Sequence, residues 1–73
     1  METEEIFKII GQNIRTIRES KGLSLKDISK LSGIRVEYLS KIENGKARGM
    51  LLSYLEFTAL ALGVELYILL EGT

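Results

Sequence analysis

The side chains of this sequence that could do chemistry are lysines, arginines, carboxylates and small hydroxyls. Its 73 residues include no histidine and no cysteine. The commonest general base and the commonest metal ligands are missing, and disulfides and thiolate sites are excluded. The ten acids are spread along the chain and form no cluster with ligand spacing. No catalytic residue, no metal site and no cofactor is assigned, and an enzyme is a poor reading. Recognition of a partner suits the inventory better. All ten Lys and Arg fall between positions 8 and 48, where only Glu19, Asp27, Glu37 and Glu43 accompany them. A chain of zero formal net charge therefore holds a middle stretch of net +6, with three acids before it and three after. Such asymmetry fits a surface that meets a polyanion, and it also fits a merely solvated surface; charge alone does not separate the two.

The elements that must position these charges read mostly as helices. A chain of this length makes one domain, taken as 1–73, with a core small enough that pairing with a second copy would add useful stability. There is no proline, low-complexity segment or internal repeat, and glycines punctuate the chain. Ile6, Ile10, Ile14 and Ile17 make one face of a helix over about 4–20, which Lys21 and Gly22 end. Ser24 to Asp27 has the form of a capping box and starts a short helix over about 25–31. Ser32-Gly33 breaks it, and a third helix over about 36–43 ends at Asn44-Gly45. A fourth, over about 50–62, carries Leu51, Leu55, Thr58, Ala59 and Leu62 on one face. In the tail, Val64, Leu66, Ile68 and Leu70 alternate with Glu65, Tyr67, Leu69 and Glu71, which reads as a β-strand. The most apolar stretch, 55–70, contains Glu56, Gly63 and Glu65, so no membrane span is expected. The acidic N-terminus does not resemble a secretory signal. The expectation is a soluble, cytoplasmic protein.

Two short helices joined through Gly33 are the core of a helix-turn-helix. The turn calls for a residue tolerant of positive φ, Ser29 is small where the helices approach, and Ile28, Ile34, Leu39 and Ile42 are spaced to hold the pair together. Further elements recur in order: Ile14…Ile17-Arg18, Gly22-Leu23-Ser24, Ile28-Ser29, Gly33-Ile34, the run from Tyr38 to Lys46, and Ala61-Leu62-Gly63-Val64. On this ordered set, covering about 10–70, the chain resembles the phage-repressor/Cro-type (XRE) helix-turn-helix family. The resemblance implies an all-α, compact lambda-repressor-like bundle of four to five helices, to which the tail would add a C-terminal β-strand. It implies a sequence-specific regulator of transcription that binds double-stranded DNA as a homodimer.

Site residues follow from the resemblance position by position. Arg18 and Glu43 match the family's buried ion pair. The third helix would enter the major groove, with Arg35, Val36, Glu37, Ser40 and Lys41 facing bases. Asn44, Lys46 and Arg48 would grip phosphates, which positions a protein without reading sequence. Val64, Leu66, Ile68 and Leu70 would pair across a two-fold axis as a dimerisation strand. Phe7, Tyr54 and Phe57 read as core or interface packing.

The sequence also departs from the family. Leu25 stands where glutamine usually touches a phosphate, Arg35 where Ser or Thr usually caps a helix, and Glu37 puts an acid on the groove-facing helix. Two sub-cases remain: a stand-alone repressor, or an antitoxin with a toxin as a second partner, since some antitoxins follow this motif with a terminal strand. The alternative is a helix-turn-helix adaptor that binds protein and no DNA, as in a bacterial cytoskeletal adaptor with a similar Leu25 and 34–39 run.

Overall fold

A computed structural model describes residues 3–47 and 52–73, and among these the regular structure is entirely helical. Helix α1 spans Thr3–Ser20, α2 Leu25–Ser32, α3 Val36–Glu43, α4 Leu52–Leu62 and α5 Leu66–Leu69. Positions 50 and 51 of the expected fourth helix, and with them Leu51, lie outside the described residues.

Each boundary has a local cause. Glu4 and Glu5 occupy the first turn of α1, where the helix dipole favours acids. The Ser24 hydroxyl accepts from the Asp27 amide at 3.0 Å, while the Ser24 amide donates to Asp27 Oδ2 at 2.9 Å, completing the capping box of α2. Gly33 ends α2 at φ 77°, a left-handed conformation that costs glycine little and turns the chain sharply into α3.

Ile6, Ile10, Ile14 and Ile17 of α1 pack inward, Ile10 and Ile14 being buried. They meet Ile28 of α2, Ile34 at the turn, Leu39 and Ile42 of α3, and Leu55, Ala59 and Leu62 of α4 in one cluster. Thr58 is fully buried among them and satisfies its hydroxyl on the Tyr54 carbonyl at 2.7 Å. Contacts of α1 with α3, and of α2 with both α3 and α4, fix the helix-turn-helix from behind. The α1–α3 approach depends on Gly11. A Cβ there would lie 2.7 Å from the Glu43 carbonyl oxygen and closer still to that of Ile42.

The tail corrects the sequence reading: residues 66–69 form a helical turn, not a strand. The alternation put Leu69 on the outer side, yet Leu69 is fully buried, and Leu66, Leu69 and Leu70 follow helical spacing. No partner strand exists among the described residues, so an extended tail would leave its backbone groups unpaired. In α5 they pair locally, from the Ile68 amide to the Glu65 carbonyl and from the Leu70 amide to that of Tyr67. Asn13 of α1 then donates its side-chain amide to the carbonyls of Leu69 (3.0 Å) and Glu71 (2.8 Å).

Two outcomes test this packing. Gly11→Ala gains about 1 kcal/mol of helix propensity, but it forces a methyl group against α3 backbone, an overpacking cost of about 1–3 kcal/mol or more. Net destabilisation is expected in urea unfolding. The hydrogen bond from the Ser24 amide, and then that with the Ser24 hydroxyl, hold the Asp27 carboxyl below the ordinary carboxylate range. A depressed folded-state value stabilises the fold above the unfolded value and loses that contribution as pH falls through the folded one. The stability advantage over Asp27→Asn should therefore be constant near neutrality and shrink as pH is lowered through the carboxylate range.

Candidate nucleic-acid interface

Two turns of α3 have sharply different sides. Leu39, Ile42 and Glu43 are buried, whereas Arg35 just before the helix, Glu37, Lys41 and Asn44 are exposed and Val36 and Ser40 half-buried. Helical spacing gathers Val36, Glu37, Ser40, Lys41 and Asn44 on one outward surface. Ser29, Arg35, Val36, Glu37, Tyr38 and Lys41 line an open depression where α2 and α3 meet. Tyr38 does not join the outward row: its ring packs on Tyr54, centroids 4.9 Å apart and planes tilted by 49°.

Arg35 occupies the N-cap of α3 with an extended backbone and no side-chain capping bond. Arginine has no acceptor to offer the first-turn amides; just before it, the Ile34 amide donates to Ser32 Oγ at 3.1 Å. Beyond α3 the chain turns through Asn44 and Gly45, and the Lys46 amide closes the helix end on the Lys41 carbonyl at 2.8 Å. Asn44 and Lys46 project from this corner as exposed polar residues, Ala47 turns inward, and Arg48 lies outside the described residues.

Beneath the corner sits a buried carboxylate. The Glu43 side chain is 2% exposed and serves two arginines of α1. Arg18 donates from Nε to Oε2 at 2.7 Å and from Nη2 to Oε1 at 3.1 Å, and its Nη1 donates to the Leu23 carbonyl at 2.7 Å. The forked geometry suits arginine's planar donors. Hydrogen bonding to Glu43, opposed by desolvation, raises the Arg18 pKa above arginine's ordinary value. Arg15 donates from Nε to Glu43 Oε1 at 3.3 Å and from Nη2 to Asn44 Oδ1 at 2.7 Å.

A family model described as helix-turn-helix matches residues 14–69, from the last turns of α1 through α5. The chain belongs to the helix-turn-helix family of the phage-repressor (Cro/XRE) type. It is similar to the HTH-type transcriptional regulator SinR of Bacillus subtilis (strain 168), 33% identical over 63 residues, 86% of this chain and 57% of that protein. The chain thus spans little more than half the length of that relative. Among solved structures it resembles the restriction-modification controller protein C.AhdI from Aeromonas hydrophila at a TM-score of 0.81 and 33% identity, covering 86% of this chain and 94% of that one. It also resembles the hypothetical transcription factor NHTF from Neisseria, with a TM-score of 0.83 and 30% identity over 96% and 79% of the two chains.

Within this helix-turn-helix chain, Leu25 packs against the core, half-buried. Of the residues assigned to a dimerisation strand, Val64, Leu66 and Leu70 are half-buried against the core, and Ile68, also half-buried, borders Asn13, Thr16, Ile17 and Glu71. The outward apolar residues at this end are Phe57, Leu60 and Tyr67, the last two 79% and 65% exposed. Sequence reasoning missed Arg15 and Asn13. Arg15 was open to discovery: three residues before Arg18, it shares a helix side with the ion-pair residue. Nothing in the sequence tells which carbonyls Asn13 would hold.

Loss of either member of the Arg18–Glu43 pair strands a charge with little access to water. Glu43→Ala and Arg18→Ala should each lower stability by about 3–5 kcal/mol in urea unfolding. A change below about 0.5 kcal/mol would mean a pair worth no more than a surface one.

Proposed function

We propose that this chain is a sequence-specific double-stranded DNA-binding regulator of transcription, acting as a homodimeric repressor in the cytoplasm, with 1–73 working as one domain. The observation that carries the reading is the two-sided α3, which buries Leu39 and Ile42 and turns Val36, Glu37, Ser40 and Lys41 outward beside Arg35. An α-helix fits the major groove and can put two turns of side chains against base edges. Lys41 would donate to guanine O6 and N7, Val36 would meet a thymine methyl, and Glu37 would accept from a cytosine N4. Asn44, Lys46 and Arg48 would hold phosphates at the end of that helix. The relatives' names as transcriptional regulators support this reading. It needs no catalytic residue and no cofactor.

Dimerisation is part of the proposal, with a changed surface. A strand across the two-fold is replaced by the apolar exterior of α4 and α5, where Phe57, Leu60 and Tyr67 are exposed and Val64, Leu66, Ile68 and Leu70 are partly so. The terminal strand that favoured an antitoxin with a toxin partner is absent from the described residues, which favours the stand-alone repressor.

Binding to duplex DNA over a series of salt concentrations tests the proposal. Lys46→Ala should weaken all duplexes about equally and flatten the log–log salt slope by about one unit. Lys41→Ala and Val36→Ala should relax preference at particular base pairs, by about 1–3 kcal/mol for a good bidentate contact. Glu37→Ala should lose specificity if Glu37 reads cytosine, and tighten binding everywhere if it only repels phosphate. A selected operator should be a near-palindrome with half-sites about one helical turn apart. If random and selected duplexes both fail to bind in low salt while a protein partner is recovered from extract, the adaptor reading replaces this one.

A further inference from the structure

We propose that Arg15 is a positioning residue for the phosphate contact of Asn44, a role that rests on the DNA-binding reading above. Arg15 and Arg18 point to the same carboxylate, but they use it differently. Arg18 commits donors to both Glu43 oxygens and to the Leu23 carbonyl, and its side chain is only 13% exposed. Arg15 makes a single, longer bond to Glu43, at 3.3 Å, and its shorter bond, at 2.7 Å, goes to the exposed Asn44. The buried carboxylate fixes one edge of the Arg15 guanidinium, and the other edge is presented to the residue that ends α3.

The consequence is a choice of sign at the surface. An asparagine amide has an acceptor on one side and two donors on the other, and its hydrogen-bond network decides which way it faces. With Oδ1 held by the guanidinium, the NH2 group of Asn44 must turn away, because the reverse orientation would set donor against donor. It faces Ser40 Oγ at 3.5 Å, too long to be a strong bond. The donors are thereby offered along the outward edge of α3, where a phosphate oxygen, which can only accept, would be held. A rotated amide would offer its carbonyl oxygen to the same phosphate and repel it. Arg15 acts through Asn44 in this arrangement, and its own cation does not need to touch the DNA.

A double-mutant cycle on duplex binding, read by fluorescence anisotropy at several salt concentrations, tests the proposal. Arg15→Met should weaken binding about tenfold, the scale of one charge-assisted hydrogen bond. Asn44→Ala should weaken it comparably, and the double mutant no further than Asn44→Ala alone. Arg15→Lys keeps the charge but not the fork, and should lose affinity as Arg15→Met does; it also carries the test if Arg15→Met does not fold. Full affinity in Arg15→Lys with the Asn44 side-chain amide resonances displaced, or multiplying losses in the double mutant with a salt slope lower by about one unit, would show Arg15 meeting phosphate as a bare charge and overturn the proposal. So would wild-type affinity in Arg15→Met. The Asn44 side-chain amide resonances of the free protein supply a readout independent of DNA. They should shift on Arg15→Met, and unchanged resonances overturn the proposed geometry. If they shift but wild-type protein binds no duplex, the geometry stands and the DNA-binding reading is what fails.

Discussion

A carboxylate buried in a small helical core is tolerable only while its oxygens are occupied by charge-matched donors. Glu43 meets that condition through Arg18, and Arg15 adds a second, weaker donor. Because both arginines stand on α1 and Glu43 closes α3, the network couples the longest helix to the outward-facing one. Through Arg15 it also reaches the Asn44 side chain, so that exposed amide is tied to the buried ion pair. The close passage of Gly11 over the last turn of α3 belongs to the same constraint.

The rest of the fold serves to keep α3 two-sided. Its apolar residues are drawn inward by Ile10 and Ile14 from α1 and by Ile28 from α2. Apart from Glu43, which the arginines of α1 hold inside, its charged residues Glu37 and Lys41 are left exposed. The zero net charge of the whole chain is misleading in this setting, since the acids at 2–5 and 56–71 lie outside the stretch that holds every Lys and Arg. Arg35 stands at the helix start without a side-chain cap and places a cation at the rim of the outward face.

Much of this was legible in the sequence because the signals were local. The isoleucine repeat of α1, the Ser24–Asp27 capping box and the left-handed Gly33 each depend on a few neighbouring residues, and each maps onto an element at its expected place. The tail was misread because period-2 alternation over a few residues also accommodates one helical turn. What decided it was distant in sequence: the pocket that buries Leu69 and the Asn13 amide that takes the carbonyls of Leu69 and Glu71. Arg15 was missed for a related reason. Helical spacing puts it near Arg18, but only the three-dimensional meeting of α1 with the end of α3 gives its second donor an acceptor on Asn44.

Titration of isotope-labelled protein with a duplex, followed through backbone amide resonances, reads out whether the outward face of α3 meets DNA. The largest changes should fall at 35–47, with α4 and α5 little affected. Changes confined to the exposed apolar residues of α4 and α5, or no change at duplex concentrations that saturate a DNA-binding control, would contradict it.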